Sequence, residues 1–110
     1  MTDPVYPPAT PEIGARRARL APAVNEAFEN FSRQVFADGA LPEKTKQLIA
    51  VAVAHATQCP YCIQGHTRLA RRKGNSPEEI MEAIWVAAEM RAGAAYAHST
   101  LALHAMGPHT

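Results

Sequence analysis

One run of residues, Leu48 to Ala56, constrains the fold of this chain more than any other segment. Drawn as a helix, the run is apolar nearly all round, and a helix of that kind is buried inside a bundle. No segment of the chain alternates apolar and polar residues, which is the pattern that predicts a half-buried strand. The sequence therefore predicts an all-α fold.

Prolines, glycines and capping residues predict where further helices begin and end. Apolar residues recur at helical spacing over roughly 20–37, which predicts an amphipathic helix there. Pro60 must end the buried helix, and it is well placed to begin the next one, over about 60–73. Ser76-Pro77-Glu78-Glu79 combines an N-cap, a proline at the first helical position and a capping-box glutamate, so a helix follows it. Gly93 then marks either a break or a close approach of two helices.

The predicted organisation is a helical domain behind an extended arm. The arm covers residues 1–17, and its early prolines oppose a helix there. The domain covers residues 18–110. Hydrophobic residues make up 47% of the chain but aromatic residues only 6%, so the core of a lone subunit is thin and burial between subunits would stabilise it. The helix that follows Ser76 should bury one stripe of side chains, formed by Ile80, Met81, Ile84, Trp85 and Ala88.

Composition argues against several classes of function. The formal net charge is +1, with 11 basic against 10 acidic residues, so strong attraction to nucleic acid or to an anionic membrane surface is not expected. No apolar stretch is long enough to span a membrane. The segment from Met1 to Pro11 lacks a charged-then-apolar signal pattern, and a cytoplasmic location is expected. In that compartment two cysteines predict catalysis or metal binding rather than a structural disulfide.

Two cysteines and a histidine form the most informative motif. Cys59 and Cys62 are three residues apart, and His66 follows four residues after Cys62. On a helix these intervals place the side chains on one face, with the two cysteine α-carbons about 5 Å apart, within the range of a disulfide. A helix N-terminus stabilises a thiolate, and His66 can take the proton of Cys62. The motif therefore predicts redox chemistry such as peroxide reduction or disulfide exchange.

Other interpretations of the motif stay open from the residues alone. His55, Cys59, Cys62 and His66 could supply four ligands to a metal, although zinc ligands usually come from two separated segments. The cysteines could also be inert residues of the core. A glutaredoxin-like fold is rejected, because its Cys-Pro-Tyr-Cys motif follows a strand, whereas here the motif follows a buried helix.

A longer stretch of the sequence resembles a known family. It runs from Leu41 to Ala54, continues with Gln58-Cys59-Pro60-Tyr61-Cys62 and His66, and is joined downstream by Ser76 to Ala83. These residues resemble the carboxymuconolactone decarboxylase family. More narrowly, they resemble its AhpD-like alkylhydroperoxidase branch, which keeps a Cys-x-x-Cys-x-x-x-His motif. The resemblance covers roughly residues 18–106.

The resemblance implies a fold, an activity and roles for individual residues. It implies an AhpD-like helical bundle, assembled as a homotrimer or homohexamer, that reduces a hydroperoxide and is regenerated by an external dithiol or lipoyl-type reductant. By position, Cys62 matches the attacking cysteine, Cys59 its partner and His66 the base. No cofactor and no metal is expected. The decarboxylases of the wider family lack the cysteine pair, which disfavours decarboxylation here.

One position departs from the branch. Its members usually have a glutamate of a proton relay twelve residues before the first cysteine, and here that position is Gln47. A glutamine can orient a water or a histidine, but it cannot exchange a proton as a carboxylate does. His55 is the best substitute in the relay, unless it is a buried histidine that bonds a backbone carbonyl. The rival functions are a non-enzymatic metal-binding helical oligomer and a decarboxylase or lactone-acting enzyme of the wider family, which would act on a small lactone or carbonyl compound.

Overall fold

Five α-helices make up the structure, a computed structural model that describes residues 5–108. In chain order they are α1 (Pro11–Leu20), α2 (Pro22–Phe36), α3 (Glu43–Thr57), α4 (Pro60–Arg72) and α5 (Pro77–Met106). Residues 5–108 contain no β-strand, and the predicted all-α fold is confirmed.

Helix α1 corrects the prediction of an extended arm over residues 1–17. The side chain of Thr10 accepts a hydrogen bond from the backbone N–H of Ile13, and Pro11 stands at the start of the helix. A proline is tolerated at that position because the N–H it lacks would have no partner within the helix. Residues 11–17 are therefore helical, residues 5–10 are not, and the first four residues of the predicted arm lie outside the described range.

The chain divides into two compact units, Met1–Lys46 and Gln47–Thr110, and the predicted boundary after residue 17 does not coincide with that division. The first unit holds α1, α2 and the first turn of α3, and α1 contacts α2. Lys46 caps the end of α2, since its Nζ donates to the backbone carbonyls of Val35 and Ala37 at 2.8 and 2.5 Å.

The second unit has a small core. Val51 of α3, Ala70 of α4 and Ile80 of α5 are buried together, and Leu48 and Ile84 pack against them. All three helices of this unit thus contribute to one apolar cluster, which fixes α4, and with it the cysteine motif, against α3 and α5.

Part of the predicted core is exposed in this chain. On α5, three residues of the predicted stripe are exposed: Met81 at 49%, Trp85 at 67%, and Ala88. On α3, Ile49 and Val53 are about half exposed. The prediction was wrong at these positions because a single chain covers only one side of α3 and of α5. An apolar pattern shows that a side chain favours burial. It does not show whether the side chain is buried by its own subunit or by another molecule.

Helix α5 begins as predicted and continues without a break. The hydroxyl of Ser76 accepts from the N–H of Glu79 at 3.1 Å, and the Glu79 carboxylate accepts from the N–H of Ser76 at 2.8 Å, so the capping box is complete. Gly93 lies inside the helix, where an added Cβ would meet only the side chain of Glu89 from the same helix. None of the helices within residues 5–108 is long and apolar enough to cross a membrane.

Candidate functional site

The turn between α3 and α4 carries the first cysteine. After α3 ends at Thr57, Gln58 has a φ of 59°, in the left-handed region that favours glycine. The N–H of Cys59 reaches back to the carbonyl of Ala54 at 3.1 Å, a bond that closes a Schellman-type helix end. The Nε2 of Gln58 donates to the carbonyl of His55 at 2.9 Å. Together these bonds fix the direction in which the chain leaves α3 and enters the motif.

Cys59 is the N-cap of α4. Its backbone is extended, with φ −102° and ψ 101°, and its Sγ accepts a hydrogen bond from the N–H of Cys62 at 3.3 Å. Pro60 follows at the start of the helix, as predicted. Cys59 and Cys62 are joined by a disulfide, and their α-carbons are 5.3 Å apart. The partly buried pair therefore lies at the positive end of the helix dipole.

His66 is held by a residue of the preceding helix. Its Nδ1 lies 2.8 Å from the Oε1 of Gln47, and Gln47 is only 1% exposed. Since an amide oxygen accepts and cannot donate, Nδ1 donates in this contact, and the lone pair of the neutral imidazole is on Nε2. Gln47 thus orients the imidazole, one turn of α4 after Cys62.

His55 bonds the backbone of its own helix. Its Nδ1 lies 2.8 Å from the carbonyl of Val51, which is the contact that the sequence offered as the alternative to a relay role. Within the described part of the chain, no group of three or more histidine, cysteine, aspartate or glutamate side chains could hold a metal ion.

Two features of this turn could not be predicted from the sequence. Arg91 of α5 donates from Nη1 to the carbonyl of Ala56, in the last turn of α3, where a cation complements the helix dipole. The two residues are 35 positions apart, so no local pattern reveals the contact. The left-handed backbone of Gln58 is the second feature, although the proline after Cys59 did signal that α3 must end nearby.

The protein is all-helical, with a cysteine pair at a helix N-terminus and a histidine one turn later, and these features define a structural class. Comparison with known proteins identifies the family. Residues 22–105 match the sequence profile of the Carboxymuconolactone decarboxylase family. This span covers α2 to nearly the end of α5 and includes every site residue described above. The chain belongs to the carboxymuconolactone decarboxylase family, and the resemblance seen in the sequence is confirmed at that level.

Two curated relatives and two solved structures are similar to this chain, and one of the structures carries the same family name. The chain is 59% identical over 103 residues to uncharacterized protein 4 in cox locus of Paracoccus denitrificans, covering 94% of this chain and 92% of that protein. An uncharacterized protein of Cupriavidus necator is 37% identical over 83 residues, 74% of each chain. The crystal structure of an apo carboxymuconolactone decarboxylase family protein from Legionella pneumophila has a TM-score of 0.67 at 36% identity, covering 69% of this chain and 68% of that one. A crystal structure from Methanobacterium thermoautotrophicum has a TM-score of 0.74 at 36% identity, covering 77% and 96%.

Proposed function

We propose that this chain is a thiol-dependent peroxidase of the AhpD-like branch, in which Cys59 and Cys62 alternate between dithiol and disulfide. The observation that carries the proposal is the disulfide at the first turn of α4, formed by two residues of one helix start. Because both cysteines belong to that single turn, the bond can open and close without a rearrangement of the fold. His66, oriented by Gln47, supplies an imidazole on the same helix.

The peroxide step oxidises one sulfur by two electrons. A thiolate of the pair attacks the terminal oxygen of a hydroperoxide, a sulfur–oxygen bond forms, and the oxygen–oxygen bond breaks. The departing alkoxide takes a proton and leaves as an alcohol, and the attacked sulfur becomes a sulfenic acid. The second thiol then displaces the sulfenic oxygen, which leaves as water, and the disulfide forms. His66 moves the proton between the thiol and the departing oxygen.

Regeneration needs two electrons from outside the chain. An external dithiol, of which a lipoyl-type dithiol is one example, attacks the disulfide to give a mixed disulfide. Its second thiol then displaces the chain's sulfur, and both cysteines return to the thiol form. The substrate class is therefore a hydroperoxide, and the reductant is a dithiol. We also propose that the working form is a homotrimer or homohexamer.

A stoichiometric assay tests this function. The reduced protein is mixed with one equivalent of cumene hydroperoxide, and intact-mass and peptide mass spectrometry follow the thiols. We expect an intramolecular bridge between Cys59 and Cys62, and with excess dihydrolipoamide we expect continued loss of peroxide. Cys59→Ser and Cys62→Ser are the matched variants, and neither should turn over.

Two outcomes would contradict the proposal. Two free thiols after exposure to peroxide would mean that the pair does not react with this substrate class. If diamide oxidises the pair readily but hydroperoxide does not, the pair retains a redox role and the peroxidase activity is excluded.

A further inference from the structure

Helix α2 exposes its largest apolar side chains and partly buries two polar ones. Four apolar residues recur at helical spacing and form a ridge along the helix, the α2 ridge: Val24, Phe28, Phe31 and Val35. They are 72%, 66%, 62% and 42% exposed, and the rings of the two phenylalanines lie 6.4 Å apart. The half-buried residues of α2 are instead Asn25, Ser32 and Phe36. Since exposed apolar surface is unfavourable in water, this arrangement indicates that another molecule covers the ridge.

The charged residues of α2 lie away from the ridge. Helical spacing places Glu26, Glu29 and Arg33 on the opposite face of the helix. Ala27 and Gln34, which flank the ridge on one side, are neutral. An uncharged apolar face with anchors three and four residues apart is the face that a helix places in an apolar groove of a partner.

A groove of matching character lies between α3 and α5. This α3/α5 groove has a volume of about 200 Å³ and is lined by five apolar side chains: Leu48, Ile49, Ala52, Ala83 and Val86. Small-molecule sites are usually larger, about 300–1,000 Å³, and include a few polar groups that orient the ligand. Ile49 and Val86 are still 47% and 59% exposed. The groove therefore suits a ridge of apolar side chains better than a small ligand.

We propose that the α2 ridge of one copy of this chain lies in the α3/α5 groove of the next copy. The inference rests on the homotrimer or homohexamer included in the proposed function, and it names the two surfaces that meet. The ridge and the groove are different surfaces of one chain, so the contact is heterologous and repeats from copy to copy until a ring closes. In a closed ring every ridge lies in a groove, and no copy keeps either surface exposed.

The size of the apolar surface fits this contact. A phenylalanine buries about 150–250 Å² when it is covered, and Phe28 and Phe31 are each more than 60% exposed. These two residues alone supply roughly 200–300 Å² of the about 800 Å² that one partner of a stable interface buries. Val53 and Met90 lie four residues after two lining residues of the groove and are 52% and 64% exposed. Apolar surface thus continues beyond the groove and can supply more of the area.

Complementary variants test the pairing by light scattering. Phe28→Glu places a charge on the ridge and leaves the groove intact, and Val86→Glu does the reverse. Both side chains are mostly exposed in the single chain, so the charge leaves its own core undisturbed. Each variant alone should lose the wild-type assembly, because an unpaired charge is costly to bury. An equimolar mixture should regain one contact, since an intact ridge meets an intact groove.

The expected masses are specific. If the wild type is a trimer, each variant alone should have the mass of one chain, 11.9 kDa, and the mixture should reach twice that mass. Phe28→Glu mixed with Phe31→Glu is the matched control. Neither chain of that mixture has an intact ridge, so its mass should not rise above that of the single variants.

Photo-cross-linking of the assembled protein gives a second measurement. With p-benzoylphenylalanine in place of Phe28, irradiation should join two chains on a denaturing gel. Trypsin should then release the peptide 20–33 attached to the peptide 47–68 or 74–91, which carry the residues of the groove.

Three results would overturn the proposal: single variants that keep the wild-type mass, a complementary mixture no larger than its components, or a cross-link within one chain or to another segment. Neither measurement uses peroxide, so both are independent of whether the proposed peroxidase activity exists.

Discussion

Gln47 occupies the position at which the AhpD-like branch usually has a glutamate, and it still binds His66. Its amide oxygen accepts from the imidazole at 2.8 Å while the side chain is almost fully buried. A neutral amide orients the ring, whereas a carboxylate would also stabilise its protonated form and could exchange the proton. We therefore expect Gln47→Glu to raise hydroperoxide turnover with dihydrolipoamide at neutral pH by roughly tenfold.

Two further variants define what that result means. Gln47→Leu has a similar volume but cannot accept a hydrogen bond, so its turnover should fall below that of the wild type; thermal melts of all variants check folding.

His55→Ala tests the competing relay. Because Nδ1 of His55 bonds the carbonyl of Val51, we expect little change in turnover. A sharp loss in His55→Ala, together with no gain in Gln47→Glu, would assign the relay to His55 instead.

At the scale of single elements, the end of α3 has a backbone conformation that a glutamine side chain disfavours. Gln58 has a φ of 59°, and a non-glycine residue in the left-handed region costs about 1 kcal/mol. We expect Gln58→Gly to raise the free energy of unfolding by about 0.5–1 kcal/mol, measured by urea denaturation. Gln58→Ala is the control, because it removes the bond to His55 but keeps the disfavoured conformation. If the glycine variant is no more stable than the alanine variant, the turn is not strained.

The starts and ends of the helices differ in how well the sequence predicts them. Pro60 and the Ser76 capping box placed the starts of α4 and α5 correctly, because proline and cap effects act within a few residues. Pro11 begins a helix instead of preventing one, so the prediction of an extended arm is wrong at this residue. Gly93 did not end α5, since one glycine costs about 1 kcal/mol, which a 30-residue helix tolerates.

In the candidate site, too, some features follow from local spacing in the sequence and others depend on how the helices pack. The spacing of Cys59 and Cys62 predicts, from local geometry alone, that their α-carbons lie within the range of a disulfide, and the structure has them 5.3 Å apart. The contact between Gln47 and His66 joins residues 19 positions apart, so it depends on how α4 packs against α3. The family resemblance marked Gln47, but only the packing of the helices shows what it binds. Neither local spacing nor the family resemblance indicates the bond from Arg91 to the carbonyl of Ala56.

At the scale of the whole molecule, the chain exposes large apolar side chains on several helices. On α2 and α5, Phe28, Phe31, Trp85 and Tyr96 are each more than 60% exposed. In addition, Ala92 to Met106 contains no aspartate, glutamate, lysine or arginine, although most of it is exposed. Monomeric proteins rarely expose apolar surface on this scale. Other copies of the same chain would cover this surface, in line with the thin core that the composition predicts for a lone subunit.

We therefore expect the protein to form a homotrimer or homohexamer in solution. Light scattering at micromolar concentration should give a mass that is a multiple of three times the 11.9 kDa of one chain. Phe28→Glu places a charge on the exposed apolar face of α2 and should shift the protein to smaller species, because an unpaired charge is costly to bury in an interface. Asn30→Asp is the control, since it adds the same charge at an exposed polar position of the same helix, and it should leave the mass unchanged. A wild-type mass near 12 kDa would contradict the oligomer, and an intact trimer in Phe28→Glu would show that this face of α2 lies outside the interface.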